Sequence, residues 1–227
     1  MADKKKMEAA LEKKALYGED IDLSKYDDND EARTKSTEDL TAGGKSKLAK
    51  VGIELDGEGR SATFIQVDNT PVQVEVDKEP PLELMNTGDA AKKHPELVEK
   101  YWWKAVAPDT DKYTAKTATE REQGYFIRVR AGHKITAPLQ ACIFIGHEDQ
   151  LQRVHNVVII EEGAELNIIS GCASDPSVEN GVHIGISEFF VEKGAKLSFT
   201  MIHNWGENVA VRPRTVAIVG EDAQYTS

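Results

Sequence analysis

The sequence predicts a mainly β chain wound as a parallel β-helix, on three observations. First, one phrase recurs: Arg-Ala-Gly-His-Lys-Ile (130–135), Glu-Glu-Gly-Ala-Glu-Leu (161–166), Glu-Lys-Gly-Ala-Lys-Leu (192–197) and Gly-Glu-Asp-Ala-Gln-Tyr (220–225). Its pivots are Gly132, Gly163, Gly194 and Asp222, spaced by 31, 31 and 28 residues. Second, an apolar, β-branched run precedes each pivot, as in Val157-Val158-Ile159-Ile160 and Val216-Ala217-Ile218-Val219. Third, alternation resumes after it, as in Leu166-Asn167-Ile168 and Leu197-Ser198-Phe199. A period of this length marks stacked units, and a unit made only of strands and tight turns buries its face on the next coil.

Bulk properties narrow the function classes. The 227 residues carry a net charge of −11 and the mean hydropathy is −0.47, as expected of a soluble protein. An acidic chain without a basic stripe argues against tracking nucleic acid and against an anionic membrane surface. No apolar run approaches the roughly 18 residues that span a bilayer, and the N-terminal lysines precede no apolar core of a secretory signal. Two cysteines, Cys142 and Cys172, make no disulfide framework and suit buried thiols in a cytoplasmic protein.

Three regions are expected: an N-terminal helix and polar linker over 1–50, a small α/β lead-in over 51–123, and a β-helix core over 124–227, truncated at its C-terminal end. Met7, Leu11 and Ala15 recur at helical spacing, with Ala10 beside them and Gly18 placed to close the helix. Residues 19–47, rich in Asp, Lys, Ser and Thr and containing Gly43-Gly44, are expected to be a mobile linker. Val51, Ile53 and Leu55, then Phe64 to Asp68 and Val72 to Val76, alternate as strands of a small antiparallel meander or the first edge of the sheet system, ended by Pro80-Pro81. Pro95 and Glu96 open a short helix whose apolar face holds Leu97, Tyr101 and Trp102. The Trp pair is expected in packing, and residues 107–123 as polar turns.

At this point a family resemblance emerges. The phrases His94-Pro-Glu-Leu-Val-Glu-Lys-Tyr, Pro108-Asp-Thr-Asp-Lys-Tyr and Gly124-Tyr-Phe-Ile-Arg-Val-Arg-Ala-Gly-His-Lys-Ile-Thr-Ala-Pro-Leu-Gln resemble the start of the β-helix in SufB/SufD-type proteins. So do the coil Val157 to Ser174 with its Gly-Cys pair at Cys172, the coil from His183 through Glu188, and Asn204-Trp205. These proteins are scaffold subunits of the SUF system of iron–sulfur cluster assembly. The resemblance implies a non-catalytic platform that accepts sulfur and iron, a transient iron–sulfur cluster shared between subunits with none bound permanently, and two partners. One is a SufC-type ATPase; the other is a second scaffold subunit, or a copy of this chain in a homodimer. It also implies further coils, a later cysteine and a C-terminal helical segment for SufC. The chain ends at Ser227 without these, so the usual docking tail is absent and a dimer through the last coil is expected. Thr114-Ala-Lys-Thr117 departs from the family's usual Ala-Leu-Asn phrase.

Cys172 lies nine residues after Gly163, and His203 nine after Gly194. In register they would stack about 4.8 Å apart on adjacent coils. Parity turns both inward with Leu166 and Leu197, provided Ser170-Gly171 does not break the alternation. Thiolate and imidazole suit iron or zinc, so Cys172 and His203 are the candidate metal ligands, although two ligands fall short of a closed site. The resemblance implies that Cys172 carries sulfur inward. A lowered thiol pKa would activate it, with His203 as the candidate cause. Cys142 is a further relay or ligand candidate, its alternative being a core thiol. His183 and Glu188 match recurring family positions and are supporting candidates, the alternative being polar corner residues. His133, His147 and His155 are expected at the surface or at corners, and Arg212 and Arg214 at a corner or as partners of acidic columns. The competing functions are a polysaccharide-active β-helix enzyme, which needs paired carboxylates or a basic residue with calcium in a groove, and a structural or oligomerisation module.

Overall fold

A left-handed corner residue sets each turn of the chain. In the computed structural model, which describes residues 4–29, 31–77 and 81–227, Gly132, Gly163 and Gly194 have φ of 75°, 69° and 65°, and Asp222 has 55°. Glycine meets no penalty there, and Asp is among the few other residues that tolerate it. The corners form a column. Gly132 N–H donates to Glu162 O at 2.8 Å, Gly163 N–H to Lys193 O at 2.9 Å and Gly194 N–H to Glu221 O at 2.9 Å.

In chain order the elements are α1 (Lys4–Ala10), α2 (Ala42–Lys50), β1 (Ala62–Val67), β2 (Thr70–Val76), β3 (Leu82–Asn86), α3 (Thr87–Lys93), α4 (Pro95–Tyr101), α5 (Lys112–Thr119), β4 (Tyr125–Val129), β5 (Leu139–Ile145), β6 (Gln150–Ile160), β7 (Glu165–Ser174), β8 (Asn180–Val191), β9 (Lys196–Asn204), β10 (Asn208–Val219) and β11 (Gln224–Thr226). The predicted β-solenoid runs from β4 onward. Even-numbered strands β4 to β10 stack in parallel in one sheet, with β3 added antiparallel at its edge. Odd-numbered strands β5 to β11 stack in the other, with β1 parallel to β5 and β2 antiparallel to β1. The hairpin expected near residues 62–76 is therefore also the first rung.

Side chains alternate between lumen and outside. Tyr125, Ile127, Ala141, Ile143, Val158, Leu166, Ile168, Cys172 and Phe189 fill the lumen core. Phe126, Val157, Ile159 and Phe190 face outward beneath Leu97, Tyr101 and Trp102 of α4 and its end. Leu151, Val182, Ile184 and Ile186 lie beneath Val106, Tyr113 and the N-terminal residues Ile21, Leu23 and Tyr26. The Trp pair packs, as expected: Trp102 stacks on Phe126 with centroids 5.7 Å apart.

Several expectations fail for local reasons. The first helix ends at Ala10; beyond it, backbone donors are taken by side chains, Ala15 N–H by Asp20 and Leu16 N–H by Asp111. Part of the expected helix, residues 1–3, lies outside the described residues, as does Pro80. Residues 19–47 are no loose linker. Asp27 bridges to Gln150, and Gly43-Gly44 sits in α2, N-capped by Thr41. A Cβ on Gly43 would come 2.9 Å from Pro176, and one on Gly44 2.9 Å from Asp175, so the glycines serve close packing rather than a break. Val51 and Ile53 make no strand; they are two buried anchors of a turn over the sheet. Within 107–123, α5 forms on an Asp111 cap that accepts Tyr113 N–H and Thr114 N–H. Its threonines bond back to the helix, as Thr117 does to Tyr113 O, which hides a helix behind a polar composition. Arg212 and Arg214 lie within β10 rather than at a corner, and Arg214 pairs with Asp111. Among the described residues no helix is long and apolar enough to cross a membrane.

The corner column yields a direct test. Gly163→Val, forced into the left-handed region, should cost about 1–2 kcal/mol, whereas Gly163→Asn should be nearly neutral; urea midpoints of the two variants measure the difference.

Candidate functional site

Cys172 sits on β7 and points into the lumen. Its neighbours along the stack are Ile143 on β5 and His203 on β9. The predicted pairing with His203 therefore holds, and Ser170-Gly171 does not interrupt the strand. The chemistry differs from expectation. Cys172 is only 3% exposed, and burial pushes its pKa up to about 12 against the opposing pull of the Ser170 hydroxyl and the Ile143 backbone. The thiol is neutral, not an activated thiolate. Its polar contacts are Ser170 and Ile143 rather than the His203 imidazole, which explains why His203 does not activate it. His203 is exposed, and its desolvation lowers its own pKa. Cys172 thus lies one rung from His203 on β9.

His183 is buried rather than at a corner. It faces the lumen in register with Gln152, its Nδ1 lying 2.8 Å from Gln152 Oε1. The Gln152 amide nitrogen donates to Asp68 O and Phe144 O, so Oε1 is the acceptor and His183 Nδ1 carries the proton. Burial, with the charge of His203, depresses the His183 pKa to about 3. The neutral ring stacks on Trp205 at 5.0 Å, and His203 lies 6.2 Å from the same indole. Cys142 faces the other way. It packs outside the sheet with Leu48, Val51, Ile53 and Phe144, and burial, then the nearby Cys172, raises its pKa well above the ordinary thiol value. It is a core thiol.

Glu188 is fully buried and faces outward. It accepts the backbone N–H groups of Trp103, Ala105 and Val106 at 2.7, 2.6 and 2.9 Å and lies 2.8 Å from His155 Nε2. Burial works to raise its pKa, but His155 and the backbone donors outweigh it and the net shift is downward. It is a clasp for the segment after α4, not part of the lumen. His155, expected near the surface, is fully buried beneath Trp103, with centroids 4.1 Å apart. Of the other two histidines, His133 is exposed and His147 is half-buried against Asp68.

Sequence reasoning missed two lumen hydroxyls. Ser170 lies two residues before Cys172 on the same strand face, and Tyr125 reaches in from the facing sheet. Counting by twos from Cys172 would have found Ser170; no local signal announces Tyr125. Among the described residues no group of three or more His, Cys, Asp or Glu side chains is arranged to hold a metal ion. Cys172 and His203 are thus adjacent but do not close a metal site by themselves.

Residues 143–227, which include this whole rung pair, match the family model described as the SUF system FeS cluster assembly, SufBD core domain. The chain belongs to the SufBD family. It is 46% identical to an iron–sulfur cluster assembly SufBD family protein of Methanothermobacter thermautotrophicus, over 97% of this chain and 55% of that one. It is 47% identical to one from Archaeoglobus fulgidus over 81% of this chain and 48% of the relative. With the iron–sulfur cluster assembly protein SufB of Bacillus subtilis it shares 32% identity, over 58% of this chain and 29% of that one. The chain spans about half the length of these curated archaeal SufBD relatives.

Two measurements follow from the SufBD site. In the native state both thiols should react with iodoacetamide far more slowly near neutral pH than they do in denaturant, because each is buried and protonated; mass spectrometry follows the adducts over time. Glu188→Ala strands three N–H groups and His155, and should cost on the order of 3 kcal/mol. The folded Glu188 pKa is depressed, so its contribution is present above the unfolded value of about 4.3 and is lost as pH falls through the folded pKa. In Glu188→Gln, denaturation curves should therefore show lower stability at pH 7 and a flatter acid limb.

Proposed function

We propose that this chain is part of a scaffold on which iron–sulfur clusters are assembled, with Cys172 accepting sulfur in the lumen. The observation that supports it is the inward thiol of Cys172, stacked one rung below His203, in a fold whose relatives bear the name of iron–sulfur cluster assembly. Sulfur would arrive as a persulfide on a donor thiol. Attack by the Cys172 sulfur on the outer sulfur of that donor would move one sulfur atom to Cys172 and release the donor as a thiol. Iron is cargo in this reading and would need ligands beyond this rung pair, since Cys172 and His203 supply two. A SufC-type ATPase and a second scaffold subunit are the expected partners. The role is that of a non-catalytic platform in the cytoplasm.

Pairing with a second copy is the form of this proposal that the chain can test by itself. Met201, Ile202, Val216 and Ile218 on β9 and β10 are exposed, apolar area that a second subunit would cover. Light scattering over a concentration series is expected to give a dimer; a monomer throughout removes the homodimer and leaves a different scaffold subunit as the partner.

Anaerobic loading with a persulfide donor and ferrous iron tests the function. Wild-type protein should gain visible thiolate-to-iron absorption, Cys172→Ala should lose most of it, and Cys142→Ala should keep it. Equal absorption with and without the Cys172 thiol would remove the proposal, and turnover of a sugar polymer would replace it with the enzyme reading.

A further inference from the structure

The lumen around Cys172 holds two buried hydroxyls that no partner satisfies. Tyr125 is fully buried and Ser170 is 1% exposed, and neither Tyr125 OH nor Ser170 Oγ completes a hydrogen bond. Buried polar groups are nearly always paired, because an unpaired one forfeits its hydration without return. Two orphans beside one thiol are therefore a local exception that calls for a ligand.

The fold fixes their positions. Ser170 and Cys172 share the inner face of β7, two residues apart. Ser170 is paired with Ala141, a small residue, on one side. Tyr125 comes from the facing sheet and packs edge-on against Phe64, with centroids 5.8 Å apart and an interplanar angle of 73°, which holds its ring in place. The three groups interact electrostatically: Ser170 with the thiol and with the phenol, and the thiol with the phenol. Burial also raises the Tyr125 pKa, so the phenol keeps its proton and can act as a donor.

We propose that Tyr125 OH and Ser170 Oγ–H are positioning donors that hold the terminal sulfur of a Cys172 persulfide. This rests on the reading of Cys172 as a sulfur acceptor. The transfer balances without an oxidant. The Cys172 sulfur bonds to the outer sulfur of a donor persulfide, the donor's S–S bond breaks, and the donor leaves as a thiol with the proton that Cys172 gives up. The product is the more acidic group, and its anion would sit in a dry lumen. An anion there needs hydrogen-bond donors, and the two unpaired hydroxyls are the donors at hand. Their near contacts are one another and the thiol, none of which completes a hydrogen bond in the free form, and the persulfide anion would supply the acceptor.

The test loads the whole chain anaerobically with glutathione persulfide in a Cys142→Ser background. Intact mass follows the gain of one sulfur atom, and its lifetime is timed against an added thiol. The parent protein should load at Cys172, and Cys172→Ser should not. Tyr125→Phe and Ser170→Ala should each shorten the lifetime by about tenfold or more, the change expected for one hydrogen bond to a charged group. Ser170→Thr, which keeps a hydroxyl, should restore it. Thermal melting of each variant reports folding, and if Tyr125→Phe fails to fold the Ser170 pair decides. If the parent never loads, the sulfur-acceptor reading falls and takes this proposal with it. If the parent loads and the hydroxyl variants keep the sulfur as long, only this proposal falls and the two hydroxyls mark a hydration site.

Discussion

The rung-to-rung hydrogen-bond ladder is the constraint on which everything else in this molecule depends. A parallel ladder gains only if each strand meets the next in a fixed register, and a slip of one residue would turn the lumen side chains outward. The corner residues hold that register. Each N–H of the glycine column bonds to the coil above, and the positive φ at each pivot ends one strand and starts the next at the same height. The register that brings Cys172 to His203 is the one that brings Leu166 to Leu197. The site is therefore a consequence of the stacking and not a separate construction.

A two-faced solenoid also has two outer surfaces, and the first half of the chain exists in this structure to cover them. The turn after α2 lays Val51 and Ile53 over one sheet. The segment after α4 lies over the other and contributes backbone N–H groups that would be unpaired against an apolar surface. Glu188 resolves that conflict by accepting three of them, with His155 as its charged or hydrogen-bonding counterpart. A buried carboxylate is tolerable only with such a full complement. That explains why an acidic residue stands on an otherwise apolar outer face, between Ile186 and Phe190.

The sequence made the solenoid legible because repetition is a global signal: four corners spaced by 31, 31 and 28 residues average out local noise. Parity then carried Cys172 and His203 to the correct face. What stayed hidden was held by tertiary contacts alone. Gly43-Gly44 reads as a break, yet in α2 it lets the helix approach Pro176 and Asp175. His155 is polar in sequence and fully buried in the structure, because its partner Glu188 is 33 residues away on the next coil. The Thr-rich α5 depends on Asp111, whose carboxylate also binds Leu16 N–H and Arg214. The pKa of Cys172 was misjudged for a similar reason. Stacking order was readable, but the dryness of the lumen is a property of the packed whole.

That dryness bears on which cargo the lumen suits. A divalent metal in a closed site usually asks for four ligands, and this rung pair offers one buried thiol and one exposed imidazole. A sulfur atom carried on a thiol needs one covalent bond and a few donors. The inner wall supplies a single sulfur with two hydroxyls beside it, and among the described residues no group of three or more His, Cys, Asp or Glu side chains gathers there to hold a cation. The neutral thiol is also protected, since a buried and protonated sulfur is slow to oxidise. Reactivity then has to arrive with the donor, at the rung where Cys172 pairs with His203. A dry lumen can hold sulfur without exposing it, and the residues of this rung pair favour that chemistry over metal storage.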